Sequence, residues 1–133
     1  MICSAIQPKG IDMFPQTNEL KWYPCYRPNH HLIVCEVEGK IISSCVCVII
    51  PNLTRNVRPY AFVENVVTHA DYRGKGYATE CLDFAKQIAE QENCYKMMLL
   101  TGSKSQETLS FYEKAGYNSS DKTAFIQWIG MDK

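Results

Sequence analysis

Apolar and polar residues change period several times along this chain, and each change marks an element. Leu32 to Glu38 and Ile41 to Ile50 are short, largely apolar runs rich in β-branched residues, separated by Gly39-Lys40. That pattern predicts two strands of a hairpin. Pro51 to Pro59 predicts a loop. Tyr60 to Thr68 predicts a further strand, with Phe62, Glu64 and Val66 on one side and Val63, Asn65 and Val67 on the other. The period then switches. Ala78, Cys81, Leu82, Ala85, Ile88 and Ala89 recur at three- and four-residue spacing, and charged residues fall mainly between them. That is one apolar face of a helix running to Gln91. Tyr95 to Leu100 predicts a short strand, parallel to Tyr60–Thr68 because a helix connects them. Gln106 to Lys114 predicts a second helix, with Ser105 as N-cap and Gly116 as its stop. Thr123 to Ile129, β-branched and aromatic, predicts a last strand. Met1 to His31 predicts irregular chain broken by Pro8, Pro15, Pro24 and Pro28, with a short helix around Asn18 to Tyr23. Strands and helices together give an α/β (α+β) class.

The junction between the Tyr60–Thr68 strand and the long helix carries the first chemistry. Arg73, Gly74, Lys75 and Gly76 stand there in sequence. Glycines let successive N–H groups point one way, and a helix start adds its unpaired N–H groups and the positive end of its dipole. Arg73 contributes a forked donor set suited to phosphate oxygens, and Lys75 a second charge. The combination predicts a cradle for phosphate or pyrophosphate, against the plainer reading of a tight strand-to-helix turn. It is not a P-loop, which needs Gly-x-x-x-x-Gly-Lys-Ser/Thr. Nor is it the dinucleotide fingerprint, since Tyr77 to Thr79 supply no third glycine and the next strand begins only after Glu92.

Bulk properties narrow the partners. The 133 residues suffice for one domain, residues 1–133, with a real core. Hydrophobic residues make up 46%, charged residues 21%, and the formal net charge is zero. No overall basic field exists to hold nucleic acid or an anionic membrane. The seven cysteines are odd in number and include no Cys-x-x-Cys pair; Cys45 and Cys47 alternate in an apolar strand. Reduced thiols and a cytoplasmic location are the expectation. Met1 to Gly10 lacks the apolar segment of a signal peptide, and Ile41 to Ile50 is too short to span a bilayer. No His, Cys and Asp spacing implies a metal. Arg55 and Arg58, in the Pro51–Pro59 loop, read either as steering cations for an anionic ligand or as solvated loop residues.

Two motifs carry a resemblance. Arg73-Gly74-Lys75-Gly76-Tyr77-Ala78 resembles the Arg/Gln-x-x-Gly-x-Gly/Ala signature of the GNAT superfamily of acyl-coenzyme-A-dependent N-acetyltransferases. Phe111-Tyr112-Glu113-Lys114-Ala115-Gly116-Tyr117 resembles that family's later helix. The cofactor half is similar to glucosamine-6-phosphate N-acetyltransferases. The likeness covers residues 32–129 and implies a central mixed, mostly antiparallel sheet flanked by helices. It implies that Arg73 to Ala78 hold the pyrophosphate of acetyl-coenzyme A. It also implies that the backbone of Val66, Val67 and Thr68 pairs with the pantetheine arm. Where family members place an Asn before the Phe-Tyr pair, this chain has Ser105 and Thr108. Residues 1–31 are shorter than the family's usual acceptor-side region, which points to completion by a partner subunit, a homodimer included.

Acetyl transfer to an amine needs a neutral amine, a polarised thioester carbonyl and a proton for the leaving thiolate. The resemblance assigns Glu64 as base and Tyr112 as acid; the backbone N–H groups of Val66 and Val67 suit the carbonyl. Tyrosine stays protonated until a thiolate forms beside it. Glu64 also reads as a structural glutamate at a sheet edge or paired with an arginine, and Tyr112 as a core aromatic beside Phe111. The expected activity is direct transfer from acetyl-coenzyme A to a primary amine of a small molecule, an amino sugar being one candidate. The competing class is a module that binds acyl-coenzyme A without turnover.

Overall fold

The sheet begins where the sequence suggests a short helix. The computed structural model describes residues 29–130 and, as backbone, residues 19–24. Strand β1, Glu19–Pro24, lies antiparallel on β2, His30–Val37. Six residues are too few to repay the cost of nucleating an isolated helix, whereas pairing on an existing strand satisfies the backbone at once. The irregular chain predicted for residues 1–31 is therefore interrupted by a strand, and β2 starts at His30 rather than Leu32. Residues 1–18 and 25–28 lie outside the described residues.

β2 continues through a tight turn into β3, Lys40–Ile50. The turn residues are Glu38 and Gly39, at φ 50° and 76°. Two consecutive positive φ values form the mirror-image turn whose twist suits a hairpin. β4, Tyr60–Thr68, is antiparallel to β3, and β5, Met97–Leu99, is parallel to β4. The strand order is β1-β2-β3-β4-β5. This is the mixed, mostly antiparallel sheet the resemblance implies. β5 is shorter than the Tyr95–Leu100 run: only Met97, Met98 and Leu99 pair with β4.

Helix α1, Tyr77–Gln91, buries Cys81, Leu82, Ala85, Ile88 and Ala89, the predicted face. It packs on β2, β3 and β4. The layer beneath it is built from small side chains. Cys45, Cys47, Ala61 and Cys81 are fully buried. The Cys45 thiol approaches the Cys81 carbonyl at 3.7 Å and the Cys47 thiol the Ala85 carbonyl at 4.0 Å. Small side chains let the helix backbone come this close to the sheet. On the other face Leu32 and Val34 pack with Ile41 and Val46.

Between β3 and β4 the register slips: Val46 faces Glu64, but Ser44 faces Val67. Two residues of β4, Asn65 and Val66, therefore stand opposite Cys45. Asn65 takes φ 54°. This is a β-bulge, and it re-aims the strand. The strict alternation predicted for Tyr60–Thr68 holds only to Glu64. Beyond the bulge it inverts, so Thr68 turns toward Ser43, on the α1 side.

The chain divides into two compact units, residues 1–99 and 100–133. The second unit holds helix α2, Gln106–Lys114. Ser105 caps it as predicted: its hydroxyl accepts the Thr108 N–H at 3.2 Å. Thr123–Ile129 does not form the predicted strand. It pairs with no strand among the described residues, and Phe125 and Ile129 are 95% and 88% exposed. β-propensity measures fit to a pleated, half-buried surface, so apolar and β-branched residues alone do not make a strand without a neighbour.

Candidate functional site

β4 delivers the chain into a compact cationic turn. Thr68 closes the strand with its hydroxyl 2.9 Å from Ser43 Oγ, and the Ser43 hydroxyl lies 3.2 Å from the Val67 carbonyl. His69 then caps a single 3-10 turn, Ala70–Tyr72, its Nδ1 accepting the Asp71 N–H at 3.2 Å. Nδ1 carries no proton while it accepts, so the Asp71 carboxylate 3.8 Å away is a polar neighbour rather than a full ion pair.

Arg73 folds back on the strand. Its Nε–H donates to the Thr68 carbonyl at 3.2 Å. The two terminal guanidinium nitrogens take no part in that bond. Gly74 and Gly76 follow at φ 73° and 88°. A Cβ at either position would meet nothing within 4 Å. Crowding therefore does not demand glycine here; the left-handed backbone does, and the space above it is open. Gly76 is the N-cap of α1, and no side chain caps that end. The first helical bond runs from the Glu80 N–H to the Gly76 carbonyl at 3.0 Å. The N–H groups of Tyr77, Ala78 and Thr79 precede it, at the positive end of a 15-residue helix. Arg73, Gly74, Lys75 and Gly76 are all exposed. The turn predicted from sequence thus has the geometry of an anion cradle.

Tyr72 is a residue the sequence reading missed. Lys75 Nζ lies 5.4 Å and Lys40 Nζ 5.5 Å from its ring centroid. His69 and Tyr77 meet the same ring edge-on, at 5.6 Å and 6.2 Å. A tyrosine directly before Arg73 is a weak local signal. Lys40 has none, because only the pairing of β3 with β4 brings the hairpin turn to this end.

Other expected residues fall as follows. Glu64 is exposed, on the face of β4 turned away from α1, opposite Val46. The apolar residues beside it in sequence, Val63 and Val66, lie on the other side of the strand or within the bulge. Val66, Val67 and Thr68 are the last residues of β4, Val66 within the bulge and the other two past it. Ser105, Thr108 and Tyr112 belong to the second unit. There the hydroxyls of Ser103, Ser105 and Thr108 form a cluster, with Ser105 Oγ 2.9 Å from Thr108 Oγ1. Tyr112 stacks edge-on with Phe111 at 5.0 Å and Tyr117 at 6.3 Å.

The loop arginines have structural partners. Arg58 donates to the carbonyls of Asn93 and Cys94, both at 3.1 Å, and so ties the loop to the end of α1. Arg55 lies over the Tyr95 ring at 5.7 Å. The five described cysteines are free thiols; Cys3 and Cys25 lie outside the described residues. Burial pushes Cys47 and Cys81 up to about 12. Burial, with the Glu80 carboxylate adding to it, pushes Cys35 to about 11. None of these is a thiolate near neutral pH. Among the described residues no group of three or more His, Cys, Asp or Glu is placed to hold a metal ion. Among the described residues no helix is long and apolar enough to cross a membrane.

A bulged strand, a left-handed glycine turn and an uncapped helix start follow one another in this α/β fold. The sequence model of the acetyltransferase (GNAT) family matches residues 3–117. The chain belongs to the GNAT family of acetyltransferases. It is 32% identical over 84 residues to the glucosamine 6-phosphate N-acetyltransferase of Trypanosoma brucei brucei, which covers 63% of this chain and 55% of that one. A solved structure from Agrobacterium tumefaciens str. C58, provisionally assigned as an acetyltransferase, is 41% identical. It superposes with a TM-score of 0.73, covering 77% of this chain and 71% of that one. The glucosamine-6-phosphate N-acetyltransferase of Arabidopsis thaliana is 28% identical with a TM-score of 0.68, over 77% and 68% of the two chains. The chain spans about half the length of the first curated relatives it matches, 55% and 57%.

Proposed function

We propose that this protein transfers an acetyl group from acetyl-coenzyme A to a primary amine of a small molecule. The observation that carries the reading is the cradle: two left-handed glycines open to solvent, Arg73 anchored by Nε alone, and an uncapped helix start. Coenzyme A brings a pyrophosphate, and these residues fit one. The glycine turn and the first N–H groups of α1 would hold it, with Arg73 adding charge and Lys75 at the edge of the cradle.

The rest of the ligand supplies a thioester, whose acetyl carbon the amine attacks directly. Carbon–nitrogen bond formation and carbon–sulfur cleavage then require one proton removed and one returned. Glu64, an exposed carboxylate on β4, takes the proton from the amine. The N–H groups of Val66, in the bulge, and Val67, just past it, stabilise charge on the carbonyl oxygen. Tyr112 returns a proton to the thiolate. Ser105 and Thr108 stand in for the asparagine that other members use toward the cofactor. An amino sugar is the first acceptor to test, because two of the relatives above are glucosamine 6-phosphate N-acetyltransferases. A cytoplasmic location rests on the free thiols of the described residues, and a homodimer on family likeness.

The test is release of free thiol from acetyl-coenzyme A in the presence of a panel of primary amines, amino sugars and their phosphates first. Amine-dependent release is expected. Tight binding of acetyl-coenzyme A with no release across the panel would instead favour a module that binds without turnover.

A further inference from the structure

Lys40 opens β3 next to the β2–β3 turn, far from the glycine turn in sequence, yet its ammonium group shares the Tyr72 ring with that of Lys75. Both lysines are exposed. Among the described residues neither forms an ion pair. Glu38, two residues from Lys40, and Asp71, four from Lys75, form no ion pair with these lysines among the described residues. Two like charges held on one aromatic platform, beside Arg73 and the positive end of α1, concentrate positive potential with no ion-paired counter-charge among the described residues. The ring quadrupole offsets part of that repulsion. An anion would offset far more.

The number of charges indicates what kind of anion. A pyrophosphate diester carries about two negative charges, and Arg73 with the helix start answers those. Lys40 and Lys75 are then left over. A phosphate monoester carries about −1.5 to −2 at pH 7, which two ammonium groups match. Resting on the reading of the cradle as a coenzyme A site, we infer that Lys40 and Lys75, on the Tyr72 platform, form a subsite for a third phosphate. In coenzyme A that group is the 3′-phosphate of the adenosine. Lys40 is thereby a specificity-determining residue, separating the full cofactor from the form that lacks this phosphate.

The experiment is calorimetric titration of the intact protein with coenzyme A and with dephospho-coenzyme A, which lacks only the 3′-phosphate. Wild type, Lys40→Gln, Tyr72→Leu and Tyr72→Phe are compared. Lys40 is exposed at the first position of β3, so replacing its side chain leaves the fold in place. Wild type is expected to prefer coenzyme A. Lys40→Gln should weaken coenzyme A roughly three- to tenfold, the range for an exposed charge-assisted contact, and leave dephospho-coenzyme A unchanged. Tyr72→Leu should erode the same preference more than Tyr72→Phe, which keeps the ring. Equal wild-type affinity for the two ligands overturns the subsite while leaving the cradle standing. So does Lys40→Gln weakening both ligands alike, which would place Lys40 on the pyrophosphate. Wild type binding neither ligand sinks the coenzyme A reading itself, and the subsite with it.

Discussion

Arg73 spends Nε on the Thr68 carbonyl and has its terminal nitrogens left for an anion. Arg73→Ala should therefore weaken coenzyme A binding by about 1.5 kcal/mol, the lower end for a charged hydrogen bond because the site is exposed. Gly76→Val meets no atom within 4 Å but imposes a β-branched side chain at φ 88°. It should lower coenzyme A affinity and also stability, the left-handed region costing about 1–2 kcal/mol for such a residue. Titration calorimetry beside thermal melts separates the two effects; unchanged affinity in both variants would remove the cradle from the mechanism. Tyr112 tests the acid role. Tyr112→Phe keeps the ring that stacks on Phe111 and Tyr117 but loses the proton. Once an accepted amine is known, kcat should fall about 10²–10⁴-fold with coenzyme A affinity held, the pattern of an interaction made in the transition state. Wild-type kcat would make Tyr112 a packing residue.

Among the elements, the β3–β4 loop is the most strained. Arg55, Asn56 and Val57 take φ 56°, 57° and 60° in succession. Val57 is β-branched, for which this region is a genuine outlier, and it is 70% exposed, so its side chain packs against little. The loop holds this shape because Arg58 clamps it to the end of α1 through Asn93 and Cys94. Val57→Gly relieves the strain and gives back part of it in unfolded-chain entropy. A net stabilisation of about 0.5–1 kcal/mol is expected, read as a higher denaturant midpoint with unchanged slope. A lower midpoint would mean that the Val57 side chain has a partner worth more than the strain.

At the scale of the molecule, the thiol layer between α1 and the sheet links packing to pH. Burial raises Cys35, Cys45, Cys47 and Cys81 above their ordinary value. A group raised on folding stabilises fully below its unfolded pKa, near 9, and that stabilisation is lost as pH climbs toward the folded value. Stability should fall between pH 9 and about 12, by about 1.4 kcal/mol per pH unit for each thiol ionised only in the unfolded chain. Denaturant melts from pH 7 to 11 check the sign; flat stability would mean the thiols are not buried together. The same layer predicts labelling. Alkylation under denaturing, non-reducing conditions should mark all seven cysteines, while in the native protein Cys45, Cys47 and Cys81 resist, being fully buried. Fewer than seven labels on fresh protein would reveal a disulfide.

Sequence alone determined whatever depends on local pattern: the apolar face of α1, the Ser105 cap, the hairpin, and the turn from Arg73 to Gly76. Those rest on spacing within a few residues, which periodicity and turn chemistry report directly. Tertiary structure decided what depends on neighbours. Residues 19–24 became a strand because β2 offered a ladder, and Thr123–Ile129 did not because no strand among the described residues lies beside it. Glu64 came out exposed, and the bulge at Asn65 inverted the faces that follow, because register is set by the partner strand. Lys40 reached Tyr72 for the same reason: antiparallel pairing puts the start of β3 beside the end of β4, a proximity that no local window of sequence contains.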